Sequence, residues 1–369
     1  MNESEAKQFL EETWTYLHSI PEVGVHTPKS CAYLAEKLRE FGYQVDDQVG
    51  GGVLGVLDSG QPGVHFALRA DTDALEFFVD GKMTDYHGCC HDAHMSILLT
   101  AAKQIAEKGI KTGKLFIVFQ PGEEPNLGAK TMLETGKLKD IEEICALHLV
   151  PDADVPHGQV ASLLLHNGLG TLKAVIRGQN AHASVPHTGI NAVEAGVLAV
   201  NAANMIHCAP DLSWSSKVTQ FIADKASDNT IPDYAQIVFD LRAESNALLE
   251  EIVTKLKCAI TNAVQAVGAS VESFDYIFDP APDYDEDLAQ FVEATLCEVI
   301  GKDRCAGRVR TSPGEDFHFY SYLGHMKTAY IAVGAHVTPA LHIYNNTFDH
   351  EILYTACQIL CTLAHKKLG

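Results

Sequence analysis

A chain of 369 residues is larger than one hydrophobic core readily holds, so two domains are expected. An apolar fraction of 46% suits a globular protein, and a formal charge of −21 argues against nucleic acid or an anionic membrane as partner. No apolar run approaches the roughly 20 residues of a membrane span, and the acidic start Met1-Asn2-Glu3-Ser4-Glu5 lacks the basic-then-apolar order of a signal peptide; a cytoplasmic location is expected.

Apolar positions recur at helical spacing over residues 3–18 and 27–41. Gly50-Gly51-Gly52 then marks a turn between two strands, and without a following Lys-Ser/Thr it does not indicate a phosphate loop. Residues 64–70 read as a buried strand running into Asp71-Thr72-Asp73. Residues 91–108 read as an amphipathic helix closed by Gly109, and 114–120 and 143–149 as further strands. This alternation predicts an α/β fold with a mainly parallel sheet covered by helices. Ligands in such sheets bind beyond the C-terminal ends of the strands.

The order then changes: a strand at 171–178, a helix at 189–207, strands at 218–223 and 234–242, a helix at 246–267 and a strand at 270–278. That βαββαβ order is the ferredoxin-like one. Pro280-Ala281-Pro282 marks a return to the first domain, completed by helices at 285–299 and 350–366 and a strand at 328–333. The expected organisation is a discontinuous domain, 1–165 and 279–369, with 166–278 inserted. The ten cysteines are scattered along the chain, as suits buried free thiols rather than a disulfide framework.

Residues 86–95, Tyr-His-Gly-Cys-Cys-His-Asp-Ala-His-Met, gather two thiols, three imidazoles and a carboxylate. Glu123-Glu124 follow a strand and a Pro-Gly turn, and His148 ends another strand. Taken singly, each has an ordinary reading: Cys89 a buried thiol, His91 a residue opening a helix, the glutamates a solvated surface, His148 a core histidine. Together they fall at strand ends and a strand–helix junction of one sheet. Soft and borderline donors so placed suit zinc or manganese, and a Glu-Glu pair beside a metal supplies a ligand and a proton carrier. A metal-dependent hydrolase is the reading that follows.

Ala70-Asp71-Thr72-Asp73-Ala74-Leu75, the run from His87 to His94, Phe119 to Glu124, His182 to His187, Asn229 to Pro232, Glu315 to Phe317 and Leu341-His342 follow one another over nearly the whole chain. In this the sequence resembles the M20 family of metallopeptidases, in the amidohydrolase branch of aminoacylases, hippurate hydrolases and auxin-conjugate hydrolases. Cys90 stands where the family has glycine. His18, in Leu17-His18-Ser19-Ile20-Pro21-Glu22, lacks a second histidine the branch often has beside it, and is read as structural. The resemblance implies a catalytic domain of the zinc-peptidase type, with the inserted domain as lid and dimerisation element.

The same resemblance implies that Cys89, His91, Glu124, His148 and His342 hold one or two divalent ions, zinc or manganese. Glu123 would be the general acid/base, and Asp73 a carboxylate that orients ligating histidines. His182 and Asn229 would grip the substrate and the developing oxyanion. The expected reaction is hydrolysis of the amide bond of a small N-acyl amino acid by a metal-activated water. A homodimer through the inserted domain is the implied partner. Arg242, at a strand end, is a candidate for the substrate carboxylate, with a surface salt bridge as the equal alternative. A dipeptidase or carboxypeptidase using the same metal centre is the rival enzyme reading, and a redox role for Cys89-Cys90 the rival outside hydrolysis.

Overall fold

The computed structural model describes residues 1–223, 227–311 and 313–369, and these form two compact units. One comprises Met1–Leu165, Asp283–Thr311 and Glu315–Gly369; the other comprises His166–Pro282 with Pro313 and Gly314. The inserted segment therefore runs past 278 to Pro282. The Asn246 side chain explains this, since it donates to the Ala281 carbonyl at 3.0 Å and accepts from the Ala281 N–H at 2.8 Å.

The first unit is built on an eight-stranded sheet in the order Gln44–Val49, Gly52–Asp58, Lys114–Gln120, His65–Asp71, Glu143–Val150, Lys327–Gly334, Val160–Leu165 and Cys305–Arg310. Lys114–Gln120, His65–Asp71, Glu143–Val150 and Lys327–Gly334 are mutually parallel. Strands of this kind are buried on both faces and read as continuous apolar runs, as Leu115–Phe119 does. Antiparallel neighbours flank them. Val160–Leu165, Cys305–Arg310 and a separate hairpin, Leu75–Val79 with Lys82–Tyr86, are additions to the expected elements.

The helix His91–Lys108 is buried along nearly its whole length. It packs on the strand His65–Asp71 and against the helices Glu3–His18 and Glu351–Leu368. Its buried residues include the polar Asp92, His94, Ser96 and Thr100 beside the apolar ones. It opens at Cys90, whose φ of 65° is left-handed, and closes at Gly109 with φ 77°. The corner at Cys90 aims the start of the helix at the C-terminal ends of the parallel strands, where Asp71, Gln120 and His148 also sit.

The second unit has a four-stranded antiparallel sheet in the order Trp214–Ala223, Tyr234–Ala243, Gly168–Arg177, Ser270–Asp279. The helices Ala192–Ala203 and Asn246–Gln265 share its apolar core. This is the strand order of the ferredoxin-like module. The first of its helices is shorter than the expected 189–207 because Asn191 caps it, accepting from the N–H groups of Val193 and Glu194. Among the described residues no helix is long and apolar enough to cross a membrane.

One polar element of the first unit's core is unusual. Arg69, fully buried on a central strand, donates to Asp71 at 2.7 Å, Glu315 at 3.4 Å, Asp316 at 3.2 Å and the Gln120 side-chain Oε1 at 3.0 Å. Gln120 in turn donates to Asp316, and the Tyr330 hydroxyl donates to Glu315. Removing one member of a buried ion network strands the charges of the others, at a cost of about 3–5 kcal/mol. Arg69→Met is expected to lower the unfolding free energy by about that amount, measured in urea.

Candidate metal centre

The residues that the sequence brings forward as ligands converge in the first unit. His91, the first residue of its helix, directs Nδ1 to the Asp73 main-chain carbonyl at 2.8 Å. A carbonyl only accepts, so Nδ1 carries a proton and Nε2 is the nitrogen left facing the cluster. His148 is set in the same way, with Nδ1 donating to the Leu149 carbonyl at 2.6 Å. Its Nε2 lies 3.5 Å from the Cys89 sulfur. Fixing one imidazole nitrogen with a backbone acceptor is how ligating histidines are oriented.

Donor atoms of Cys89, His91 and His148 all lie within 4.8 Å of one another, and so do those of Cys89, Glu124 and His342. His342 is the most open of the five, with its side chain 57% exposed, and its Nε2 is 3.5 Å from Glu124 Oε1. Its backbone is left-handed, φ 59°, and is anchored by its N–H on the Gly88 carbonyl at 2.8 Å. A metal fits this set on two counts. His91 Nε2 and Glu124 Oε1 are buried polar atoms without a hydrogen-bond partner, 3.9 Å apart, which native interiors rarely tolerate. Sulfur, imidazole and carboxylate together are the donors that divalent transition ions take.

Asp73 holds the glutamates in place. Its two carboxylate oxygens accept the backbone N–H groups of Glu123 at 3.1 Å and Glu124 at 3.0 Å. The Glu-Glu step is thus fixed by its main chain while the side chains face the cluster. Among the described residues no hydrogen bond ties down the Glu123 carboxyl, whose nearest charged neighbours include His91 Nε2 at 4.0 Å.

The charges here are lopsided. Burial, and then Glu315 and Asp316, push Glu123 well above the usual carboxylate range. Burial also raises Glu124, against the pull of His91. Burial by itself would lower His91, but Asp71, Asp73 and Glu124 outweigh it and move the ring up to about 10. Burial and then Glu124 and Glu123 push the Cys89 thiol up. A cation reverses each of these directions by drawing off protons and favouring thiolate and carboxylate.

His182, Asn229 and Arg242 lie in the second unit. His182 Nδ1 lies 2.7 Å from the Ser184 hydroxyl and 3.2 Å from the Ser184 N–H, and its Nε2 is 3.2 Å from the donating Asn229 Nδ2. Arg242 pairs with Asp240 at 3.0 Å. His18 donates to Asp92 at 2.6 Å, a structural tie between two helices. Cys90 packs in the apolar core while Cys89 faces the cluster. Sequence reasoning left Arg69, Asp71 and His94 without a role, and gave Glu315 and Asp316 a motif but no task. The burial of so many polar residues around a strand end leaves no periodic trace, but an arginine inside the apolar run His65–Asp71 is a visible signal.

The model of peptidase family M20/M25/M40 matches residues 67–366. The chain is similar to a hippurate hydrolase of Campylobacter jejuni, 29% identical over 374 residues, covering 95% of this chain and 94% of the relative. It is also similar to IAA-amino acid hydrolase ILR1-like 2 of Arabidopsis thaliana, 30% identical over 328 residues, covering 83% and 72%. A dinuclear metal binding peptidase of the M20 family from Bacillus subtilis superposes with a TM-score of 0.81 over 99% of each chain, at 21% identity, a likeness of fold.

Asp73→Asn replaces one of the two acceptors with an amide N–H facing a backbone N–H. The expected result is a loss of about 1–3 kcal/mol in stability, with lower metal content after dialysis, measured by denaturant unfolding and elemental analysis.

Proposed function

This chain belongs to peptidase family M20/M25/M40 as a metal-dependent amidohydrolase, and we propose that it hydrolyses the amide bond of N-acyl amino acids. The observation that carries the reading is the meeting of the unpartnered Glu124 and His91 donor atoms, beside the sulfur of Cys89, with the untethered Glu123 carboxyl. The names of the two relatives, a hippurate hydrolase and an IAA-amino acid hydrolase, support an amide-linked amino acid as substrate.

Cys89, His91, Glu124, His148 and His342 are the residues that would hold zinc or manganese. Two donor sets, Cys89 with His91 and His148 and Cys89 with Glu124 and His342, would hold one or two ions. When bound, such an ion supplies Lewis acidity toward the carbonyl and makes water acidic enough to lose a proton near neutral pH. Glu123 receives that proton as water attacks the amide carbon, and then delivers it to the nitrogen of the departing amine. Without that delivery the amine is too poor a leaving group. Burial suits Glu123 to this work, because a proton carrier acts best with its affinity raised toward the working pH. His182 and Asn229 are the proposed donors for the oxyanion that forms. Arg242 is the proposed partner of the substrate carboxylate. The second unit is the proposed lid and dimer contact.

A dipeptidase or carboxypeptidase acting through the same centre is the second reading, favoured by nothing in the geometry over the first. A panel of N-acetyl and N-benzoyl amino acids against dipeptides separates the two; turnover confined to dipeptides would sink the first. Removal of metal by a chelator should abolish turnover, and zinc or manganese should restore it. Glu123→Gln is expected to keep its metal and lose roughly 10²–10⁴-fold in kcat. Near-normal turnover in that variant would remove Glu123 from the mechanism.

A further inference from the structure

We infer that His94 takes no metal itself but is the positioning residue that sets His148, through a buried chain running from Arg69 and Asp71. The inference rests on the ligand set proposed above. By proximity alone His94 is a candidate ligand, since donor atoms of Asp71, His91 and His94 lie within 4.8 Å of one another. Its hydrogen bonds decide otherwise. The Leu149 backbone N–H, which can only donate, points at His94 Nε2 at 3.0 Å. That nitrogen is therefore the acceptor, and the ring proton is on Nδ1, which meets Asp71 Oδ1 at 2.7 Å. The other Asp71 oxygen accepts from Arg69 at 2.7 Å. Neither His94 nitrogen keeps a lone pair for an ion.

The same contacts give His94 a task. Leu149 is held at its N–H by His94 and, at its carbonyl, holds the Nδ1–H of His148 at 2.6 Å. The His94 ring also stands edge-on to the His148 ring, with centroids 4.5 Å apart and planes at 64°. Ring direction and the free Nε2 of His148 are thus set by one buried series: Arg69, Asp71, His94, the main chain of Leu149, and His148. His91 and His94 share a helix face at a spacing of three. One helix thereby supplies a ligand directly and steadies a second from behind.

The test uses wild-type protein with ¹⁵N-labelled backbone and histidine rings, freed of metal and titrated with Zn²⁺. A coupling across the N–H···N hydrogen bond between the Leu149 amide and His94 Nε2 assigns that ring. The expected result is a His94 signal that stays in the Nδ1–H form at every zinc ratio, while the His148 and His91 rings shift. Zinc affinity, by competition with a chelator, should fall about 10–100-fold in His94→Gln with the number of ions bound unchanged. His148→Gln should lose more. Loss of the coupling on zinc addition, or displacement of the His94 signal as large as that of His148, would overturn the inference. So would wild-type affinity in His94→Gln beside a weakened His148→Gln. Wild-type affinity in His148→Gln would instead bring down the ligand set. If His94→Gln does not fold, the wild-type titration still decides.

Discussion

The arrangement around the strand ends follows from one constraint, an excess of buried negative charge about the Arg69 guanidinium. Asp71, Glu315 and Asp316 ring that guanidinium directly. Asp73, Glu123 and Glu124 lie just beyond, at the ligand cluster. Burial disfavours every one of these charges. The protein answers in two ways. Burial raises the proton affinity of some of them, lifting Asp316 to about 8. The rest of the deficit is met by positive charge drawn to the spot, which is what moves His91 upward. A divalent ion satisfies the same demand more fully than a proton, because it neutralises several donors at once.

Precision at the site comes from main-chain atoms rather than from long side chains. The carbonyls of Asp73 and Leu149 set the two imidazoles, and the Asp73 carboxylate grips two successive amides and so fixes the main chain of both glutamates. Leu149 lies on a central parallel strand and Asp73 two residues past the end of another, and sites supported by such elements are more precise than sites on loops. The most exposed of the proposed ligands, His342, stands on a left-handed corner outside the strands.

Much of this was legible in the sequence. The apolar run Leu115–Phe119 gave away a strand of the parallel sheet, because full burial writes itself as unbroken hydrophobicity, and helical spacing gave away the central helix His91–Lys108. The spacing from Cys89 to His94 and the Glu-Glu step pointed to donor atoms that the fold brings within 4.8 Å of one another in sets of three. The hairpin Leu75–Val79 with Lys82–Tyr86 carried a signal that went unread: Asp80-Gly81, both with positive φ, is a strong two-residue turn. Cys305–Arg310 had no such cue, since Cys-Ala-Gly-Arg-Val-Arg at a sheet edge needs little hydrophobicity. The Arg69 network was hidden for a different reason. Its members come from residues 69 to 330, and only the fold brings them together.

The corner at Cys90 has one more consequence. Its left-handed backbone turns two adjacent sulfurs into different surroundings, Cys90 into the apolar core and Cys89 toward His148. Joining them would mean remaking the first turn of the helix on which His91 stands. Neighbours in sequence are therefore strangers in chemistry: an oxidant reaching one thiol finds no ready mate in the other.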